Sequence, residues 1–269
     1  LAVSGLAYKI ALVPFHMYQP DVYEGSPTPV SAFFAVAPKA AGFAVLLRLL
    51  LPYAGTGEEA KIVFGLLAAV AAATMVLANF AALRQTNLKR ILAYSSIAHA
   101  GYMLVAVVAE DPAGLLFYLT QYLFPGLGAF AVIIALGGPE REALELDDLT
   151  GLGRRSPWLG GIFAVLLASL AGLPPTSGFL AKFYVFSAAV RAGHLGLALV
   201  GVATSLVSVY YYFRIIRVMF MKEAVRDTDA DVDNPAVYLV LFLCLYAVLQ
   251  LGLFPGNIVT LIGRTVASF

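Results

Sequence analysis

The sequence predicts an all-α, polytopic membrane protein of about eight transmembrane helices, and three observations predict it. Of its 269 residues, 61% are hydrophobic and only 12% charged, with a mean hydropathy of +0.88; a water-soluble domain of that size would lack polar surface. The apolar runs last about 20 residues, the length a helix needs to cross roughly 30 Å of hydrocarbon. They also lack the alternating ten-residue segments of a barrel. Helices therefore remain as the backbone that can pair its own N–H and C=O groups in lipid.

Eight spans are expected, at Leu1 to His16, Pro29 to Tyr53, Lys61 to Leu83, Leu88 to Val108, Ala113 to Leu136, Pro157 to Val190, Leu195 to Phe220 and Pro235 to Ile262. The stretches between them carry the turn chemistry of helix ends, such as Glu24-Gly25-Ser26-Pro27, Gly55-Thr56-Gly57, Glu110-Asp111-Pro112, Gly137-Gly138-Pro139 and Asp233-Asn234-Pro235. With loops alternating between sides, Arg84, Lys89, Arg90, Arg141, Arg154, Arg155, Arg214, Arg217, Lys222 and Arg226 share one side. Arg48, Lys61, Arg191 and Arg264 share the other, so the first side is read as cytoplasmic. The first loop, with Asp21 and Glu24, falls on that side.

Composition excludes several functions. A net charge of +1 offers no basic face for nucleic acid, and the polar stretch from Lys222 to Asn234 mixes both signs as a solvated loop does. The single cysteine, Cys244, lies in an apolar run, which precludes an internal disulfide and points to packing. No metal-ligand spacing or nucleophile motif is present, and Gly151-Leu152-Gly153 lacks the strand and third glycine of a dinucleotide loop. The chain thus has no redox machinery of its own. It opens at Leu1, directly into an apolar run, and is expected to be a piece of a longer protein.

Two spans contain breaks. Pro14 removes the helical bond to the carbonyl of Ile10, and Pro174 with Pro175 frees the carbonyls of Leu170 and Ala171. Thr176 and Ser177 are expected to satisfy backbone groups of the half-helix that follows. Sorting the charged residues by depth then separates Lys9, Lys39 and Lys182, set within helices, from the carboxylates, all at loops or helix ends. Lys39 lies about 15 Å into its span. A lysine at a membrane helix centre costs about 2.5 to 3.5 kcal/mol and needs a reason. One reason is a proton relay, because a desolvated ammonium can load and release a proton near neutral pH. The other is a structural pair with a carboxylate on a neighbouring helix or subunit. His99, mid-span with Ser95 one turn before it, either shuttles protons or is fixed in place by Ser95 or Tyr102. His16, on the face of Lys9, is an accessory candidate, and Lys89 at the mouth of its helix is read mainly as a topology anchor. Tyr210, Tyr211 and Tyr212 read as interface belt and packing.

The run Lys9-Ile-Ala-Leu-Val-Pro14-Phe15-His16, followed by Pro20-Asp21-Val22-Tyr23-Glu24-Gly25-Ser26-Pro27-Thr28-Pro29-Val30, resembles the signature of antiporter-like membrane subunits of respiratory complex I (NADH-quinone oxidoreductase). The continuation Ser31-Ala-Phe-Phe-Ala-Val-Ala-Pro38-Lys39-Ala-Ala-Gly-Phe is similar to the N-type group. So are Asn87-Leu-Lys-Arg-Ile-Leu-Ala-Tyr-Ser-Ser-Ile-Ala-His99-Ala-Gly-Tyr and Gly172-Leu-Pro-Pro-Thr-Ser-Gly-Phe-Leu-Ala-Lys182-Phe-Tyr. The resemblance implies a fourteen-helix fold of two inverted five-helix repeats, each with a broken helix, of which this chain supplies about helices 7 to 14. Residues 1–53 would then hold the last two helices of the first repeat, 54–221 the second repeat, and 222–269 a cytoplasmic loop and C-terminal helix.

The same resemblance implies a proton relay through Lys9, Lys39, Lys182 and His99, with His16 and Lys89 as accessories and Pro14, Pro174 and Pro175 as the helix breaks. The glutamate that pairs with the first lysine in the family lies on an earlier helix that this sequence does not contain. NAD, FMN, iron–sulfur clusters and quinone are expected in partner subunits, with no cofactor or metal in this chain. The expected partners are other complex I membrane subunits, further antiporter-like ones among them, and the lipid of the bacterial plasma membrane. Two alternatives accompany this reading: a subunit of a multi-subunit cation/proton antiporter, and a structural membrane subunit without a proton path.

Overall fold

The computed structural model describes residues 2–53, 57–137, 144–223 and 235–267. The turns around Thr56, Gly138 and Asn234, the tallied Arg141 and Arg226, and most of the loop from Lys222 to Asn234 lie outside the described residues. Among those described, the chain is helical, with no strand beyond an isolated bridge between Asn87 and Glu145. The helices are α1 (Ala2–Lys9), α2 (Tyr18–Gly25), α3 (Thr28–Leu50), α4 (Gly57–Leu83), α5 (Leu88–Val108), α6 (Pro112–Leu136), α7 (Leu152–Arg155), α8 (Pro157–Ala171), α9 (Ser177–Arg191), α10 (Leu195–Met221), α11 (Pro235–Leu253) and α12 (Gly256–Val266). Six of them, α3, α4, α5, α6, α10 and α11, are long and apolar enough to cross a membrane unaided.

Four boundaries follow from local chemistry. Asn87 caps α5 by accepting from the Arg90 N–H at 3.1 Å, and Asp111 caps α6 by accepting from the Gly114 N–H at 3.0 Å, with Pro112 in the first turn. Proline at the first position likewise starts α8 and α11. Within α6 the helix runs on through Pro125.

Two expected spans are corrected. The first is not one helix ending near His16 but two eight-residue half-helices, α1 and α2, separated by an irregular segment from Ile10 to Met17. The stretch read as the first loop is thereby mostly helix: Asp21 and Glu24 lie on α2, tied to α5 by Arg90 at 2.7 Å each. The last span stops at Leu253 and restarts at Gly256, because Pro255 cannot continue α11 but suits the start of a helix. Pro14 and the Pro174–Pro175 pair do break their spans, as expected.

The centre of the bundle is α5, in which every residue except Arg90 and Tyr94 is buried. It is surrounded by α2, α3, α4, α6, α9 and α10, and its pairing with α4 is the most extensive in the molecule. A helix buried all round has no lipid face, so its polar residues meet only other helices. Arg214 of α10 closes one end of the bundle by donating to the carbonyls of Leu83, the last residue of α4, and Gln85.

Both breaks are closed by neighbours. At the first, Ala11 takes a left-handed φ of 56°, the Val13 N–H donates to Thr74 Oγ1 on α4 at 3.1 Å, and α3 approaches so closely that a Cβ on Gly42 would stand 2.2 Å from Ile10 Cγ2. At the second, the expected roles of Thr176 and Ser177 shift. Thr176 donates backward to the Leu173 carbonyl at 2.7 Å, and it is Ser169, from the half-helix before the break, that accepts from the Gly178 N–H. A Cβ on Gly178 would lie 1.8 Å from the Ser169 carbonyl oxygen. Gly178→Ala is therefore expected to destabilise the protein by about 1 to 3 kcal/mol, the usual range for overpacking. Gly161→Ala, where a Cβ meets nothing within 4 Å, is expected to be neutral. Thermal unfolding of both variants in the same detergent checks the difference.

Candidate functional site

Lys39 projects from α3 into the first break. It is buried, and its ammonium donates to the Ile10 carbonyl and to Gln19 Oε1, each at 3.3 Å. The Ile10 carbonyl is the group that Pro14 deprives of its helical partner, so the lysine occupies the place of the missing N–H. Gln19 in turn donates to the Ala93 carbonyl of α5 at 3.4 Å.

Lys182 repeats this logic at the second break. Its ammonium donates to the Ala171 carbonyl and to Ser205 Oγ of α10, both at 2.8 Å, and stands 5.0 Å from the centroid of the Tyr102 ring. The stem crosses Gly172, whose φ is 84° and where a Cβ would fall 2.7 Å from Lys182 Cδ; backbone and packing both require glycine there. The second freed carbonyl, that of Leu170, meets the imidazole of His99. Among the described residues no carboxylate comes within ion-pair distance of Lys39 or Lys182. Hydrogen bonds and the Tyr102 ring hold these charges, and the alternative of a structural ion pair finds no partner in them.

His99 lies on α5 within electrostatic reach of both lysines. Its Nδ1 shares a hydrogen bond of 2.8 Å with the Tyr118 hydroxyl, and its Nε2 one of 3.5 Å with Tyr212, which itself hydrogen-bonds Ser95. The expected fixing of His99 by Ser95 therefore runs through Tyr212. Tyr102 contacts the ring edge to face. Toward Lys39 the polar groups continue: Gln19 faces the Tyr23 hydroxyl, Tyr23 shares a 3.4 Å bond with Ser96, Ser96 faces Tyr122, and the Tyr122 ring lies 4.9 Å from that of His99. Imidazole and hydroxyl groups can each take up a proton and give one on, so they can pass a proton in either direction, while the Gln19 amide holds the ammonium in position. Gln121, on the same face of α6, keeps a buried Oε1 without a partner among the described residues, a position that folded proteins fill with water.

The structure brings Lys39, His99 and Lys182 together and sets the other candidates apart. Lys9 is exposed at the end of α1 and joins none of these contacts. Its span breaks one residue later, and its side chain lies on the outer face of the half-helix. His16 is half-buried in the break, its Nδ1 without a hydrogen-bond partner among the described residues. Lys89, read as a surface anchor, is fully buried and donates to the Ser26 carbonyl at 2.8 Å. Residues unassigned from sequence, Gln19, Tyr23, Ser96, Tyr118, Tyr122, Ser205 and Tyr212, complete the row. Their signal was helical spacing: Tyr118, Gln121 and Tyr122 form one polar stripe on an otherwise apolar helix.

Buried lysines beside two broken membrane helices, with a histidine and hydroxyl row between them, define a polytopic α-helical membrane protein with an internal polar axis. The chain belongs to the NADH:quinone oxidoreductase/Mrp antiporter transmembrane family, which it matches over residues 1–208. It is 46% identical over 263 residues to NADH-quinone oxidoreductase subunit N of Trichlorobacter lovleyi, covering 96% of this chain and 53% of that protein. Among solved structures it is similar to a chain of respiratory complex I from Thermus thermophilus, with 40% identity, a TM-score of 0.83, and coverage of 96% of this chain and 57% of that one. A chain of the membrane-bound sulfane sulfur reductase, an archaeal respiratory membrane complex, superposes with 27% identity and a TM-score of 0.86, covering 97% and 53%. The chain thus spans about half the length of the curated relatives it matches.

Gln19→Leu removes the side-chain acceptor of Lys39 and leaves the Ile10 carbonyl alone to hold the ammonium. A hydrogen bond to a charged group contributes about 2 kcal/mol. The variant is expected to lose that much stability, and Lys39→Met combined with it is expected to lose less than the sum of the two single changes. A double-mutant cycle on thermal unfolding measures the coupling.

Proposed function

We propose that this chain is the C-terminal part, about helices 7 to 14, of an N-type subunit of NADH-quinone oxidoreductase, and that it relays protons across the membrane. Residues 1–53 supply the end of the first inverted repeat, 54–221 the second repeat, and 222–269 the cytoplasmic loop and C-terminal helix. The observation that carries the reading is the matched pair of buried ammoniums, Lys39 and Lys182, each held on a carbonyl freed by a helix break. His99 lies between them, hydrogen-bonded to hydroxyls of α6 and α10. Lys39, held in place by Gln19, passes the proton inward by the hydroxyls of Tyr23, Ser96 and Tyr122 to His99, and Lys182 holds the one due for release. Lys9 belongs to the first half of the path and requires a carboxylate from outside this chain.

The 46% and 40% identical relatives support the coupling to NADH oxidation and quinone reduction. In this reading those steps, with NAD, FMN, iron–sulfur clusters and quinone, take place in partner subunits, and the chain acts as part of a translocase in the bacterial plasma membrane beside other antiporter-like subunits. The family also includes Mrp antiporters, so cation/proton exchange is the second reading, and sodium dependence of transport distinguishes it.

Lys39→Ala and Lys182→Ala in the assembled complex are expected to lower protons pumped per NADH oxidised several-fold while the complex still assembles. Undiminished pumping and turnover in both variants would overturn the relay. Failure to assemble, corrected by a carboxylate partner's removal, would favour the structural reading instead.

A further inference from the structure

A groove of about 660 Å³ opens on the outer face between α9 and α10. Its walls are apolar, with Phe179, Phe183, Val190, Leu199 and Val202 among them, and its two ends carry the only cations of its lining, Lys182 and Arg191. Lys182 is buried and already engaged with Ala171 and Ser205. Arg191, in the last turn of α9, is exposed and has no ion-pair partner among the described residues. Asp111, which shares a smaller neighbouring cavity with it, is occupied as the cap of α6.

Length selects the occupant. Nine residues separate Lys182 from Arg191, which in a helix is about 14 Å. Half of a hydrocarbon core of roughly 30 Å is about 15 Å. The groove therefore spans one leaflet, from a free cation at the surface opposite the basic loops to the ammonium near mid-membrane. A chain embedded in lipid is surrounded by molecules of this design: an anionic phosphate at the interface joined to an apolar tail one leaflet deep. An arginine fork matches phosphate oxygens, and a cation at the interface attracts them.

We infer that this groove is a phospholipid site, with the lipid phosphate on Arg191 and one acyl chain lying between α9 and α10 so that its end covers Lys182. The bound chain seals the lateral side of Lys182 against water. The binding itself does not depend on the proton-relay reading.

The test uses the assembled complex in bilayers containing a trace of phosphatidylglycerol with a photoactivatable diazirine, placed either beside the headgroup or at the end of one acyl chain. Labelled residues are mapped by mass spectrometry. The headgroup probe is expected to mark Arg191 and Leu195, and the chain-end probe Phe179, Lys182 and Leu206, each several-fold above exposed Leu66 and Leu77 of α4. Arg191→Gln is expected to lower groove labelling several-fold and leave α4 unchanged. Leu199→Trp, which fills the groove and keeps the cation, is expected to reduce the chain-end labelling alone, and it serves if Arg191→Gln fails to assemble. Labelling no greater than on α4, loss of the depth order, or a groove covered by a neighbouring subunit's helix would overturn the site.

Discussion

A peptide carbonyl in hydrocarbon has no water to turn to, and the arrangement of this molecule follows from where two such carbonyls go. Leaving a backbone group unpaired in a bilayer costs several kcal/mol. Burying an ammonium costs a few more. Placing the second on the first offsets both penalties together, since the carbonyl gains a charged donor and the ammonium gains acceptors without a carboxylate. Ile10 with Lys39 and Ala171 with Lys182 are the two instances. Proline is what frees the carbonyl, so the sequence needs proline and lysine on separate elements that the fold then brings together. In one case the lysine comes from the next helix, 29 residues on, and in the other from the second half of the broken span, 11 residues on.

That solution demands close approach, and the small residues supply it. Gly42 lets α3 settle on Ile10, and Gly252 lets α11 press on the Pro175 carbonyl, where a Cβ would lie 2.2 Å away. The breaks are therefore packed junctions in which backbone, lysine and neighbouring helix are mutually positioned. The central helix α5 has the complementary task. Buried throughout, it can present Ser95, Ser96, His99 and Tyr102 to different neighbours at once, which a helix with a lipid face could not do.

The legibility of these features in the sequence depends on how local their causes are. Helix α5 was bounded to the residue because Asn87 and the polar Glu110-Asp111-Pro112 turn act within a few positions. The freed carbonyls were legible for the same reason, since proline acts on the residue four before it. The fate of α2 was not, because Tyr18-Gln19-Pro20-Asp21 reads as a polar loop until α5 provides Ala93, Ser96 and Arg90 to meet it. Depth along a span is a one-dimensional quantity and singles out Lys39 and Lys182, which the structure buries. Direction around the helix is not given by depth, and Lys9 lies on the outer face of its half-helix. The tyrosines divide between the two expected roles: Tyr211 and Tyr212 are enclosed as packing residues, and the bond from Tyr212 to His99 is what residue type alone does not show. Tyr210, their neighbour, does face outward.

The two buried lysines are alike in local chemistry but differ in what lies beyond them. Lys39 is enclosed by the first break, by Gln19 and by α5, and every group it touches leads further into the bundle. Lys182 touches the bundle through Ala171 and Tyr102 on one side, and on the other it borders a groove that runs toward Arg191. A site with only internal contacts suits transfer between halves of a path, whereas a site at the edge of the bundle suits the end of that path. The difference arises from the side of the break on which each lysine is carried. Lys39 enters its break through α3, while Lys182 stands on the broken helix itself, whose outer flank borders the groove. On the proposed function, the direction of the relay is set by this placement, with identical acceptor chemistry at both ends.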